Sequence, residues 1–174
     1  MERLPPERVT ARAIAEESGA NLASITYHFG SKDELVTEAV IAGLDRWLAE
    51  IARRLDDLDA GTPAERFRTA LAVAEDSRRR HEGLARTFLG ALARALHDER
   101  VWRLLAQGFQ RSWGEVARVL GLGSDPAGED AGGLALAMFD GLLFQSLVDP
   151  DLTIDGDRMV AAQARLRGSM PRGG

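Results

Sequence analysis

Polar and apolar positions repeat at helical intervals along nearly the whole chain. Aliphatic and alanine residues return every three or four positions in residues 33 to 57, roughly 64 to 80, 83 to 97, 99 to 120, 130 to 148 and 156 to 168. No segment keeps the strict alternation of a half-buried strand, so the pattern predicts an all-α protein. Punctuation places the breaks. In Gly61-Thr62-Pro63, Thr62 reads as a cap and Pro63 as a first-turn residue of the helix that follows. Gly121 to Pro126 ends another helix, and Asp149-Pro150-Asp151 closes the apolar run from Leu142 to Val148, because proline cannot continue the helix before it. Gly168 to Gly174 reads as a frayed tail.

The segment 130 to 148 differs from the others. Leu134, Leu136, Met138, Leu142, Leu143, Phe144 and Leu147 make it apolar almost all round, and Gly132, Gly133 and Gly141 allow close helix approach. Such a helix needs cover on more than one side. A two-fold homodimer supplies it, with residues 130–148 and 156–168 pairing with their symmetry mates in a four-helix bundle. A buried helix in a monomer is the alternative.

Composition narrows the function. Apolar residues make up 45% and charged residues 28%, a folded composition, and no unbroken apolar run reaches the length of a bilayer span. No signal sequence opens the chain, so no membrane partner and a cytoplasmic location are expected. The absence of cysteine excludes disulfides, thiolate zinc sites and cysteine nucleophiles. His81-Glu82 and His97-Asp98 are adjacent pairs with no third ligand at metal spacing, and read as solvated helix-end histidines. Arg78-Arg79-Arg80 reads as a helix C-terminus, where cations complement the dipole. Neither an enzyme nor a cofactor is expected. The formal charge of −5 argues against a wholly basic nucleic-acid binder, although a local basic patch can coexist with an acidic remainder.

The N-terminal residues carry the most specific pattern. Thr10 to Glu17 reads as a short capped helix ended by Ser18-Gly19, and a second short helix opens at Asn21, whose side chain can accept from the free amides near Ser24. Two short helices joined by a glycine-containing turn are the sequence form of a helix-turn-helix, whose second helix enters the major groove. Ser24, Thr26, Tyr27 and His28 then offer hydroxyls and rings that fit between phosphates and base edges. Lys32, just before Asp33 as cap of the next helix, sits where a cation and free amides together hold a phosphate, and Thr10 can do the same for the first helix.

In the order Thr10, Ala13-Ile14-Ala15, Gly19, Ile25-Thr26-Tyr27-His28-Phe29, Ser31-Lys32 and Glu34-Leu35, the stretch from Val9 to about Val40 resembles the TetR family of one-component transcriptional repressors. The resemblance implies that Thr10, Ser24, Thr26, Tyr27, His28 and Lys32 lie at or near DNA. Ile14, Ile25 and Phe29 would hold the three helices of that domain together. It further implies a DNA-binding domain over residues 1–44 and a helical effector-binding and dimerisation domain over 45–174, with the helix from Asp33 to Asp57 carrying motion between them. Family members carry an amphipathic helix ahead of the segment matching Val9. Here Met1 to Arg8 precede it, with Pro5-Pro6 precluding a normal helix, so a start upstream of Met1 or a truncation is expected.

Phe88, Trp102, Phe109, Trp113 and Phe139 fall where the resemblance places an effector pocket. Trp102 and Phe109, seven apart, with Trp113 four further on, can share one wall, and an apolar wall favours an apolar or aromatic effector. Aromatics at helical spacing serve equally as plain core, and both readings stand. The resemblance therefore implies a repressor that grips operator DNA and is released by a small molecule. The alternative is a helical dimerisation module that has lost DNA binding.

Overall fold

The computed structural model describes Tyr27, residues 29–58 and residues 61–169. These form five helices: α1 (Lys32–Asp57), α2 (Pro63–Ala95), α3 (Glu99–Leu120), α4 (Pro126–Val148) and α5 (Gly156–Ser169), with a 3-10 turn at Pro150–Leu152. No strand occurs among the described residues, and the all-α prediction holds. Two boundaries are corrected, and in one of them α4, expected from residue 130, begins at Pro126 with Asp125 as its cap. The segments expected at 64 to 80 and 83 to 97 are the single helix α2. His81-Glu82-Gly83 reads as a break, yet an added Cβ on Gly83 would meet nothing within 4 Å, so this glycine costs the helix only its intrinsic propensity, about 1 kcal/mol. Arg78-Arg79-Arg80 accordingly lies in mid-helix, not at a C-terminus, and Arg78 pairs with Glu75 at 3.1 Å.

The chain divides into two compact units, Met1–Leu48 with Arg80–Ser112, and Ala49–Arg79 with Trp113–Gly174. In the first, Thr37, Val40 and Trp47 of α1, Ala85, Phe88 and Ala91 of α2, and Val101 and Leu105 of α3 are buried. Their three- and four-residue spacing is the stripe legible in the sequence. His81 does not sit at a solvated helix end: it stacks on Trp47, ring centroids 4.6 Å apart. His97, by contrast, is exposed in the turn after α2.

In the second unit the core comprises Leu55, Ala70, Leu71, Val73, Val116, Ala117, Val119, Leu120, Ala135, Leu143 and Met159. Thr62 caps α2 as expected, its hydroxyl accepting from the Glu65 amide at 3.2 Å while Glu65 accepts from the Thr62 amide at 2.9 Å. Helix α3 ends in a Schellman turn: Leu122 N donates to Ala117 O, Gly121 N donates to Arg118 O, and Gly121 takes the left-handed φ of 69°. Arg66 then donates to Val119 O at 2.6 Å and pairs with Asp56 at 3.1 Å, joining α2 to the ends of α3 and α1.

Helix α4 is long and apolar enough, by length and composition, to cross a bilayer. The expectation that no unbroken apolar run reaches that length stands, because Asp140 interrupts this one in mid-run. Its Gly128, Gly132, Ala135, Leu143 and Ser146 are buried against the second unit's core. The opposite side is bare: Leu134 is 61% and Val148 83% exposed, and an added Cβ on Gly141 would meet nothing within 4 Å.

Candidate nucleic-acid interface

Tyr27 and Phe29 are helical, and the chain turns at Gly30, whose φ of 73° is left-handed and favours glycine. Ser31 N donates to Phe29 O at 2.9 Å, closing the turn. Helix α1 then begins at Lys32 with Ser31 as its cap. The Ser31 hydroxyl accepts from Glu34 N at 3.1 Å and donates to Glu34 Oε1 at 3.0 Å. This corrects the assignment of the cap to Asp33, which lies inside the first turn. The signal was present in the sequence as the Ser-x-x-Glu spacing of a capping box.

The cap leaves Lys32 in the first turn of α1, beside amides whose partial positive charge attracts anions. Lys32 makes no ion pair among the described residues. Tyr27 is 85% exposed, three residues before the turn at Gly30. The arrangement offers a phosphate a cation, free helix amides and a phenol. Thr10, Asn21, Ser24, Thr26 and His28 lie outside the described residues.

The first turn of α1 is also held from a distance in sequence. Asp33 accepts from Arg94 at 2.5 Å, and Glu34 Oε1 accepts from Arg100 at 3.2 Å. Neither arginine carried a signal in the sequence, because partners 61 and 66 residues away cannot be read from local spacing.

The residues expected to meet an effector fall in both units. In the first, Phe88 is buried and tilts against Phe109 at 6.0 Å, while Trp102 is 57% exposed. In the second, Phe139 packs on Phe67 at 5.5 Å. There Trp113, 41% exposed, lies over Gly133, whose added Cβ would come within 2.7 Å of the indole. Asp140 is a partly buried carboxyl with no hydrogen bond or ion pair among the described residues, and burial pushes its pKa up from 3.8 to about 6.

Residues 4–39 match the family model of bacterial regulatory proteins of the tetR family. Two solved structures share the fold. A transcriptional regulator from Rhodococcus sp. Rha1 is 22% identical with a TM-score of 0.57, the match covering 87% of this chain and 79% of that one. A candidate transcriptional regulator from Pseudomonas aeruginosa PAO1 is also 22% identical, with a TM-score of 0.66 over 96% of this chain and 83% of that one. At such identity these likenesses speak for the fold alone. No curated protein matches the chain. The match over residues 4–39 thus likens the N-terminal part of the chain to the tetR family of bacterial regulatory proteins, on an all-helical fold similar to that of these two regulators.

Proposed function

We propose that the chain is a repressor that binds operator DNA as a homodimer and leaves it when a small apolar or aromatic effector binds. The observation that carries the DNA-binding half is the order Thr10 to Lys32 within the matched residues 4–39, ending in an exposed Tyr27 and a first-turn Lys32 without an ion pair among the described residues. Residues 1–44 form the DNA-reading part of this proposal, with Thr10, Asn21, Ser24, Thr26, Tyr27, His28 and Lys32 as its contacts. Residues 45–174 form the effector-binding and dimerising part. The effector contacts are Phe88, Trp102 and Phe109 in the first unit and Trp113 and Phe139 in the second.

Dimerisation is supported by the bare apolar side of α4, where Leu134, Gly141 and Val148 share a helical stripe. A second copy covering residues 130–148 and 156–168 removes that stripe from water. Paired reading heads then sit about one helical turn apart on a pseudo-palindrome. Release requires only that the effector bind the conformation that does not hold DNA more tightly than the one that does. On this reading the protein works in the cytoplasm, where its DNA is.

Fluorescence anisotropy of the chain against duplex DNA from its own locus, at several salt concentrations, tests this reading alongside sedimentation equilibrium. The expected result is salt-sensitive, sequence-dependent binding by a species of twice the 18.9 kDa chain mass. Lys32→Ala should weaken binding to all sequences alike and lower the slope of log affinity against log salt by about one. A persistent dimer with no salt-sensitive DNA binding would move the reading to a dimerisation module.

A further inference from the structure

Two carboxylates, Asp33 and Glu34, stand directly after Lys32 in the first turn of α1. They complement the helix dipole, but they also place negative charge next to the position offered to a phosphate. Left unpaired they would oppose an approaching DNA backbone. Both are paired, and by one short piece of chain: Arg94, in the last turn of α2, reaches Asp33, and Arg100, in the first turn of α3, reaches Glu34.

That piece of chain is itself fixed. His97 N and Asp98 N both donate to Arg94 O, at 2.9 and 3.0 Å, closing the elbow after α2. The Asp98 carboxylate then accepts from the amides of Arg100 and Val101, at 2.9 and 3.2 Å, opening α3. The two guanidinium groups thus project from a capped elbow and not from a loose loop. At the other end, the Glu34 carboxylate is shared between Arg100 and the Ser31 hydroxyl, and it lies over Gly30, whose added Cβ would come within 3.0 Å of it. The chain of contacts therefore runs from the elbow, through Glu34, to the joint at Gly30-Ser31. All of it lies within the first compact unit.

We propose that Arg94 and Arg100 are positioning residues for DNA binding: from the elbow between α2 and α3 they hold the first turn of α1, and with it Lys32 and the Gly30-Ser31 joint, while cancelling the two carboxylates beside the phosphate position. The proposal rests on the DNA-binding reading above. Neither arginine needs to touch DNA. Ion pairs at the surface are individually weak, so the effect is on affinity and not on folding.

The test uses the full chain and duplex DNA from its own locus. The Arg94→Gln, Arg100→Gln double variant should bind about tenfold more weakly than wild type, a fold-change that corresponds to about 1.4 kcal/mol. It should also show faster amide hydrogen exchange in residues 33 to 37 of the free protein, with an unchanged thermal midpoint. Arg94→Lys with Arg100→Lys, which keeps both charges, should recover most of the affinity. Arg103→Gln removes the same charge from an exposed residue of α3, 4.0 Å from Glu99, and should leave binding as in wild type. Wild-type affinity in the double glutamine variant, or an equal loss in Arg103→Gln, would overturn the proposal. A wild-type chain that binds no DNA would overturn the reading beneath it and the proposal together.

Discussion

Replacing Gly132 with alanine is expected to destabilise the chain by about 3 kcal/mol, although glycine-to-alanine in a helix ordinarily stabilises by about 1 kcal/mol. The added Cβ would overlap Trp113 O and lie 2.9 Å from Ala117 N and 3.0 Å from the Ala117 Cβ. Residues 113 and 117 are four apart on α3, so their carbonyl and amide are partners in one helical hydrogen bond. The methyl would thus sit against the backbone of α3, with no flexible side chain able to swing aside. Relief requires α4 to move off α3, uncovering Val116, Ala117, Leu120, Ala135 and Leu143, or to bend near its own centre. Gly90 supplies the contrast. It lies on α2 with nothing within 4 Å of an added Cβ, so Gly90→Ala should stabilise by up to about 1 kcal/mol. Urea unfolding of the two variants should move the midpoint in opposite directions. A wild-type midpoint for Gly132→Ala would mean that α3 and α4 do not approach this closely.

That contact marks a limit of what the sequence discloses. Gly132 and Gly133 announce that something comes near, but not that Trp113 and Ala117 are what comes. Features carried by neighbouring residues were legible: Thr62-Pro63 and Asp149-Pro150 bound helices where the cap and prolines said they would, whereas Asp125-Pro126, read only as the close of one helix, also opens α4. Ser31 and Asp33 compete as caps on local grounds, and only the hydroxyl's bond to the Glu34 amide decides between them. The unbroken α2 was hidden because His81-Glu82-Gly83 carries local signs of a break, whereas Trp47 stacked on His81 and the buried Ala85 and Phe88 carry the helix through. Propensity is a weak term beside such packing. Motif order singles out Tyr27 and Lys32 as proposed contacts. Arg94 and Arg100 carry no such sign, since a pairing across more than sixty residues leaves no trace in spacing.

Asp140 gives the chain an unusual dependence on pH. Its carboxyl is the one charged group between Ala131 and Val148, and burial raises its folded pKa to about 6 from 3.8. Well below pH 3.8, the folded and unfolded chains both carry the proton and the burial costs little, and at pH 4 the difference between them is still small. As pH rises toward 6, the unfolded chain gives up the proton first, so the folded state binds more protons and loses stability relative to the unfolded one. Above about pH 6 the folded carboxylate is charged as well, and the full cost is present. A rise of this size corresponds to about 3 kcal/mol, and the carboxyl's remaining contact with water reduces the expectation to about 2 kcal/mol. Asp140→Asn keeps the shape and removes the titration. It should raise stability by about 2 kcal/mol at pH 7.5 and change it little at pH 4. Glu115 works in the opposite sense: its hydrogen bond from Arg118 lowers its pKa, so the stability it adds is lost on acidification. The difference between wild type and Asp140→Asn, measured by urea unfolding across this pH range, isolates Asp140 from that background. Parallel profiles would mean that the carboxyl stands in water and ionises normally. Divergence that grows from pH 4 to pH 7 would mean that α4 holds a buried acid at a cost the fold must offset elsewhere.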